Sequence, residues 1–252
     1  MKLVLSGLEN SVEISPGIVT TLQVENGALF ARVAQSLVSL EGRMAQEPFT
    51  LWEGDAEVKP SSALLVAPNV FDLPWDDRAL MGAVLKRIER EFLEDEDLRR
   101  AIEAMDSSLS EKLLGLGFGM NSDYGFGLEW DLKRYLKFRG FGVWRRADES
   151  LLDNLLNFIS LALDAGCKKT IVFVNVKTFL TNNEVKVLFD HVFYSKMKVL
   201  LLENKRDGNA YDYERKMIVD LHFLEHRDLS GQVVRPLRSG GICSNGFGAV
   251  SI

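Results

Sequence analysis

The sequence predicts an α/β protein built around a mainly parallel sheet, with a helical segment inserted into it. Apolar and β-branched runs, IVTTLQV at 18–24, IVFV at 171–174 and KVLLL at 198–202, alternate with stretches of helical apolar spacing. Runs this apolar need cover on both faces, which is the situation of strands in a parallel sheet flanked by helices. From Asp76 to about residue 110 the texture changes. Proline disappears, charge is dense, and Leu80, Val84, Leu85, Ile88, Phe92 and Leu93 recur at helical intervals.

In chain order, Leu3 and Leu5, then Val12 and Ile14, give two short strands joined by a turn near Asn10. Residues 18–24 form a strand, residues 25–27 a turn, and residues 28–40 a helix with Leu29, Val33, Leu37 and Leu40 on one face. FTLW and SALLVAP read as short strands punctuated by Gly54 and Pro60. The amphipathic segment after Asp76 packs on its own domain or pairs with another copy of the chain. The stretch GLGFGMNSDYGFGLEWD (115–131) is a glycine- and aromatic-rich loop, followed by a short helix at 132–138, a strand at 141–144 and an apolar-faced helix at 151–163. Beyond the strand at 171–174 come a helix at 183–194 capped by Thr181 or Asn182, the strand at 198–202, a helix at 211–215 and a last strand at 217–221. The end, from Arg227, is rich in glycine and small polar residues and reads as a flexible tail. No internal repeat is present.

With 252 residues, 46% of them hydrophobic, the chain has material for one good core or two modest ones. No apolar run approaches the roughly 20 residues needed to cross a bilayer, and the amino terminus lacks a signal-peptide core, so no membrane and a cytoplasmic location are expected. Cys167 and Cys243 are far apart in the sequence and without histidines at metal spacing, which argues against a zinc site or a disulfide scaffold. The net charge of −6 weighs against nucleic acid, but it averages over faces. Acids concentrate at 89–97 and cations at 133–146, so a locally basic surface is compatible with an acidic protein.

The strand, loop and helix around VENGALFARV invite comparison with a phosphate-binding loop. That loop needs GxxxxGK[ST]: glycines for backbone approach, a lysine for the terminal phosphates and a hydroxyl for magnesium. Here there is one glycine, no lysine and no hydroxyl in place, and Glu25 sits where an anion would. Where such enzymes close an apolar strand with a magnesium-holding aspartate, IVFV runs into the neutral Asn175. His191, His222 and His226 stand outside any HExxH pattern, and Ser6 outside a GxSxG elbow. GFGMNSDYGFG lacks the strand-to-helix context of a dinucleotide fingerprint. No enzymatic constellation survives.

KKTIVFVNVKTFLTNNEV followed by KVLLLENK resembles the CRISPR-associated adaptation protein of subtype II-A systems, and the VENGALFARVAQSL and SALLVAPNVFDLPWDDRALMGAVLKRI segments fit the same plan over roughly residues 1–225. The resemblance implies a head whose α/β core is a degenerate P-loop NTPase fold, at 1–75 and 143–226. An α-helical leg occupies 76–142, and the tail is 227–252. It further implies a non-catalytic homotetrameric ring that binds ends of double-stranded DNA without reading sequence during spacer acquisition, in company with the other adaptation proteins and the effector nuclease.

Candidate DNA-lining residues are Lys133, Arg134, Lys137, Arg139, Arg145 and Arg146, six cations within fourteen positions. By the same resemblance calcium stabilises the ring. The acids matching the family's acidic stretch are Asp123, Glu129 and Asp131, in a segment with fewer acids and more glycine and aromatics than the family's. The competing reading of these acids is as solvent-facing loop residues that cap the following helix. Alternatives for the whole chain are a divergent magnesium-dependent nucleotide hydrolase and an α/β protein-interaction scaffold that binds no DNA.

Overall fold

A computed structural model describes residues 1–127, 129–143 and 149–228, with the backbone alone for 227 and 228. The strands are β1 (Lys2–Leu5), β2 (Val12–Glu13), β3 (Val19–Val24), β4 (Phe49–Glu53), β5 (Ala56–Val58), β6 (Leu64–Ala67), β7 (Thr170–Val174), β8 (Val199–Glu203), β9 (Glu214–Val219) and β10 (Glu225–Asp228). The helices are α1 (Gly27–Ser39), α2 (Pro60–Ala63), α3 (Arg78–Glu94), α4 (Glu96–Gly115), α5 (Leu132–Phe138), α6 (Leu151–Asp164) and α7 (Asn182–Ser195).

The main sheet has the order β10-β9-β3-β8-β7-β6, parallel except for the edge strand β10, so the expected parallel α/β core is present. Consecutive strand residues point to opposite faces, and both faces are covered. One face, with Ile171, Phe173, Val199 and Leu201, packs on α6 and α7 through Phe158, Ile159, Leu188 and Phe189. The other, with Leu22, Val172, Leu200, Leu202 and Met217, packs on α1 and on a small antiparallel sheet of order β2-β1-β4-β5. This double burial explains why β3 is buried at all six positions.

Local chemistry sets the helix ends. Ser150 with Asp153 and Thr181 with Glu184 form reciprocal capping boxes that start α6 and α7, each worth about 1 kcal/mol. Helix α3 begins on Asp77, which accepts from the amides of Ala79 and Leu80. Its Leu80 joins the core packed on α6 and α7, and Phe92 is buried further along the same helix. The long amphipathic segment is two helices, not one. The backbone of Asp95 turns extended, and its carboxylate accepts from the amide of Leu98, so it ends α3 and caps α4.

Three local expectations change. Residues 211–215 are not a helix: a turn at 212–213 leads straight into β9, which ends at Val219, and β10 follows as a further strand that includes residues 227 and 228 of the expected tail. Residues 141–143 form no strand: Val143 packs against the core as part of an irregular segment, and residue 144 of the expected strand lies outside the described residues. Arg145, Arg146 and the rest of the expected tail, 229–252, lie outside the described residues.

Candidate nucleic-acid interface

The carboxyl ends of β3, β7 and β8 are where an α/β core of this kind would meet a nucleotide. In this chain that edge is stitched shut. Asn26 caps α1 with its own side chain, Oδ1 accepting from the amides of Ala28 (3.1 Å) and Leu29 (3.0 Å), so two of the donors a phosphate would need are already engaged. Glu25 lies 3.7 Å from Arg206 across the edge. Asn175 adopts the left-handed conformation (φ 56°), and its Oδ1 accepts from the amide of Asn204 at 3.0 Å. Asn204 in turn donates from Nδ2 to the carbonyl of Val24 at 3.0 Å.

Beneath this edge lies a buried charge cluster that the sequence did not announce. Lys177 Nζ donates to Asp207 (2.7 Å) and Glu214 (2.5 Å), and Lys216 Nζ donates to Asp207 (2.7 Å) and to the carbonyl of Asn209. Thr21 donates to Glu214 at 2.5 Å and Gln23 to Asp207 at 3.2 Å. Lys177 also sits 5.0 Å from the ring centroid of Tyr211. The side chains of Lys177, Lys216 and Glu214 are 8%, 4% and 2% exposed, so these charges depend on one another. Burial pushes the Asp207 carboxyl up, but the hydrogen bonds from Lys177 and Lys216 outweigh it and leave it below the ordinary carboxylate range.

Glu203 ends β8 beside this cluster, and burial pushes its carboxyl up to about 7, against the opposing pull of the Lys177 and Val176 amides and the Lys177 ammonium. The folded state therefore holds this proton more tightly than the unfolded chain. Its contribution to stability is full below the ordinary glutamate value near 4.5 and is lost as pH rises through about 7. Glu203→Gln is expected to raise stability by just under about 1 kcal/mol at pH 5 and by about 3 kcal/mol at pH 8. Urea unfolding at the two pH values checks this, and an equal effect at both would contradict it.

The basic segment lies on α5. Asp131 caps that helix by accepting from the amide of Arg134 at 2.7 Å. Lys133 is engaged by Glu89 of α3 at 2.5 Å, whereas Arg134, Lys137 and Arg139 are exposed. The Arg139 guanidinium lies 5.9 Å from the ring centroid of Tyr135. Of the six predicted cations, then, Arg134 and Lys137 on α5 and Arg139 at its C-cap are exposed and make no ion pair among the described residues, one is paired, and Arg145 and Arg146 lie outside the described residues. Asp123 and Glu129 are exposed, and Asp131 is used as the cap. Among the described residues no group of three or more His, Cys, Asp or Glu is gathered as a metal site, so one chain's acids do not by themselves fit a calcium ion.

Among the described residues, no helix is long and apolar enough to cross a membrane. The chain is similar to the CRISPR-associated protein Csn2 of Enterococcus faecalis, 19% identical over 216 residues that cover 84% of this chain and 94% of that one. The fold is similar to the crystal structure of Stu0660 of Streptococcus thermophilus, with a TM-score of 0.55 and 15% identity over 87% of this chain and 75% of that chain. A nucleotide-free ATP-binding cassette from an ABC transporter superposes with a TM-score of 0.45 and 14% identity, over 92% of this chain and 93% of that one. The family model for the CRISPR-associated protein Cas_Csn2 matches residues 43–223, well over half of the sequence, and the chain therefore belongs to that family.

Proposed function

We propose that this protein binds ends of double-stranded DNA without sequence preference, as a homotetrameric ring and without catalysis, during CRISPR spacer acquisition, together with the other adaptation proteins and the effector nuclease. The observation that carries the reading is the exposed cation set of α5, Arg134, Lys137 and Arg139, in a member of a CRISPR-associated family. Three cations on one helix suit the phosphate backbone, which offers charge and no sequence.

Assembly has its own support in the leg. Helix α4 buries none of its residues, and Leu98, Met105, Leu109 and Leu113 are 48%, 70%, 56% and 46% exposed along it. An apolar stripe of this kind is covered when copies close into a symmetric oligomer. A ring then holds DNA by topology, with modest contacts per subunit acting together. Within the proposal calcium is an inter-subunit ion, because Asp123, Glu129 and Asp131 of one chain do not assemble a ligand set.

The test is binding to linear and closed circular duplexes of equal length across a salt series, with calcium or with a chelator. The expected result is preference for the linear form and a steep loss of affinity with salt. Equal binding to circles would rule out threading. No binding to linear duplex at low salt would favour a protein-interaction scaffold, and turnover of ATP with magnesium would favour a hydrolase.

A further inference from the structure

The exposed side of α5 carries aromatic rings as well as cations, and their arrangement has a consequence that charge alone does not. At about 100° per residue, the order around the outer face of the helix is Lys137, Arg134, Phe138, Tyr135, Arg139. Two rings are thus flanked on both sides by cations. Phe138 is 86% exposed and Tyr135 45% exposed, values far from those of core aromatics.

Tyr135 is also the outer member of a file of rings. Phe92, buried on α3, lies 5.6 Å from Trp130, which lies 6.4 Å from Tyr135, which carries Arg139 over its face at 5.9 Å. The inner end of the file is anchored in the leg, and the outer end opens to solvent. Planar groups in series with a guanidinium make a stacking platform for one more flat, electron-rich ring. The flanking cations select a ring attached to phosphate.

Resting on the duplex-end reading, we propose that Tyr135 and Phe138 form a stacking site for an unpaired nucleobase at the end of a DNA duplex, with Arg134, Lys137 and Arg139 holding the adjoining phosphates. In intact duplex the bases are stacked on one another and do not reach these rings, so the site acts only where a strand end is frayed or overhangs. The platform therefore gives the protein a preference among ends: a single-stranded overhang binds more tightly than a blunt terminus.

The experiment uses the full chain and a short linear duplex that is either blunt or carries a single-stranded overhang, with a fluorescent adenine analogue in the overhang. The wild-type protein is expected to quench the analogue and to prefer the overhang by about 5- to 100-fold. Phe138→Leu and Tyr135→Leu should abolish the quench and the preference while leaving blunt-duplex affinity and its salt dependence as they were. Tyr135 touches Trp130 and supports the leg, whereas Phe138 supports little, so the Phe138 variant keeps the test independent of folding. Unchanged quenching and preference in Phe138→Leu would overturn the stacking site. A changed oligomeric state in that variant would also overturn it, by assigning the face to a contact between copies. Absence of binding to any linear DNA by the wild type would instead remove the duplex-end reading on which the site rests.

Discussion

Reversing Arg134, Lys137 and Arg139 together to glutamate is expected to weaken binding to linear duplex by at least ~100-fold at moderate salt. Each of the three is exposed, and none carries an ion pair among the described residues, so each is available to neutralise a phosphate. Every lost phosphate contact lowers the slope of log affinity against log salt by about 0.9. The variant should therefore be both weaker and less salt-dependent, by roughly two to three units of slope for each subunit that engages DNA. Lys133 makes the internal comparison. Its ammonium is already held by Glu89 at 2.5 Å, so Lys133→Ala should cost far less. Anisotropy titrations over a salt series read both quantities, and a triple variant within twofold of wild type would move the DNA surface off α5.

Lys177→Met is expected to be strongly destabilising for the main sheet, at about 3–5 kcal/mol. The methionine fills similar volume, so the loss is electrostatic. Glu214, 2% exposed, loses its close partner at 2.5 Å and keeps only Thr21 and a 3.5 Å approach to Lys216. Asp207 loses one of its two ammonium donors. A buried carboxylate stripped of its counter-charge is the costly state, whereas removing both charges of a pair can be nearly neutral. Lys177→Met combined with Glu214→Gln should accordingly recover much of the loss, a coupling that a double-mutant cycle in urea measures directly. If Lys177→Met costs under about 1 kcal/mol, the cluster is not what pins the loop after β8 to the sheet.

Much of the core was readable because it depends on local pattern. The runs IVTTLQV, IVFV and KVLLL are rich in apolar and β-branched residues, and they became β3, β7 and β8, buried on both faces. Helix α5 stands where it was expected, at 132–138; Asp131 caps its start, and Gly140 takes a positive φ of 66° just past its end. The misreadings have tertiary causes. Residues 211–215 read as a helix and the strand as 217–221, yet Glu214 and Lys216 stand in β9, where Lys177 and Asp207, from the segments after β7 and β8, accommodate their charges. Pairings across such separations leave no trace in sequence periodicity. The break at Asp95 was masked because apolar spacing continues on both sides of it, and only the extended backbone of one residue interrupts the helix. Of the six cations, sequence could nominate the group but could not reveal that Glu89 claims Lys133.

The two asparagine ties at the carboxyl edge bear on how far its loops can move. In nucleotide-driven machines the loops at this edge move semi-independently, and that independence lets a change at one loop be relayed to another. Here Asn175 is bonded to the chain leaving β8, and Asn204 to the chain leaving β3. No one of the three loops can shift without breaking a bond to its neighbour. The carboxyl edge is thereby tied across three strands, whereas a single extended residue, Asp95, joins α3, rooted in the main core through Leu80, to α4, which buries none of its residues.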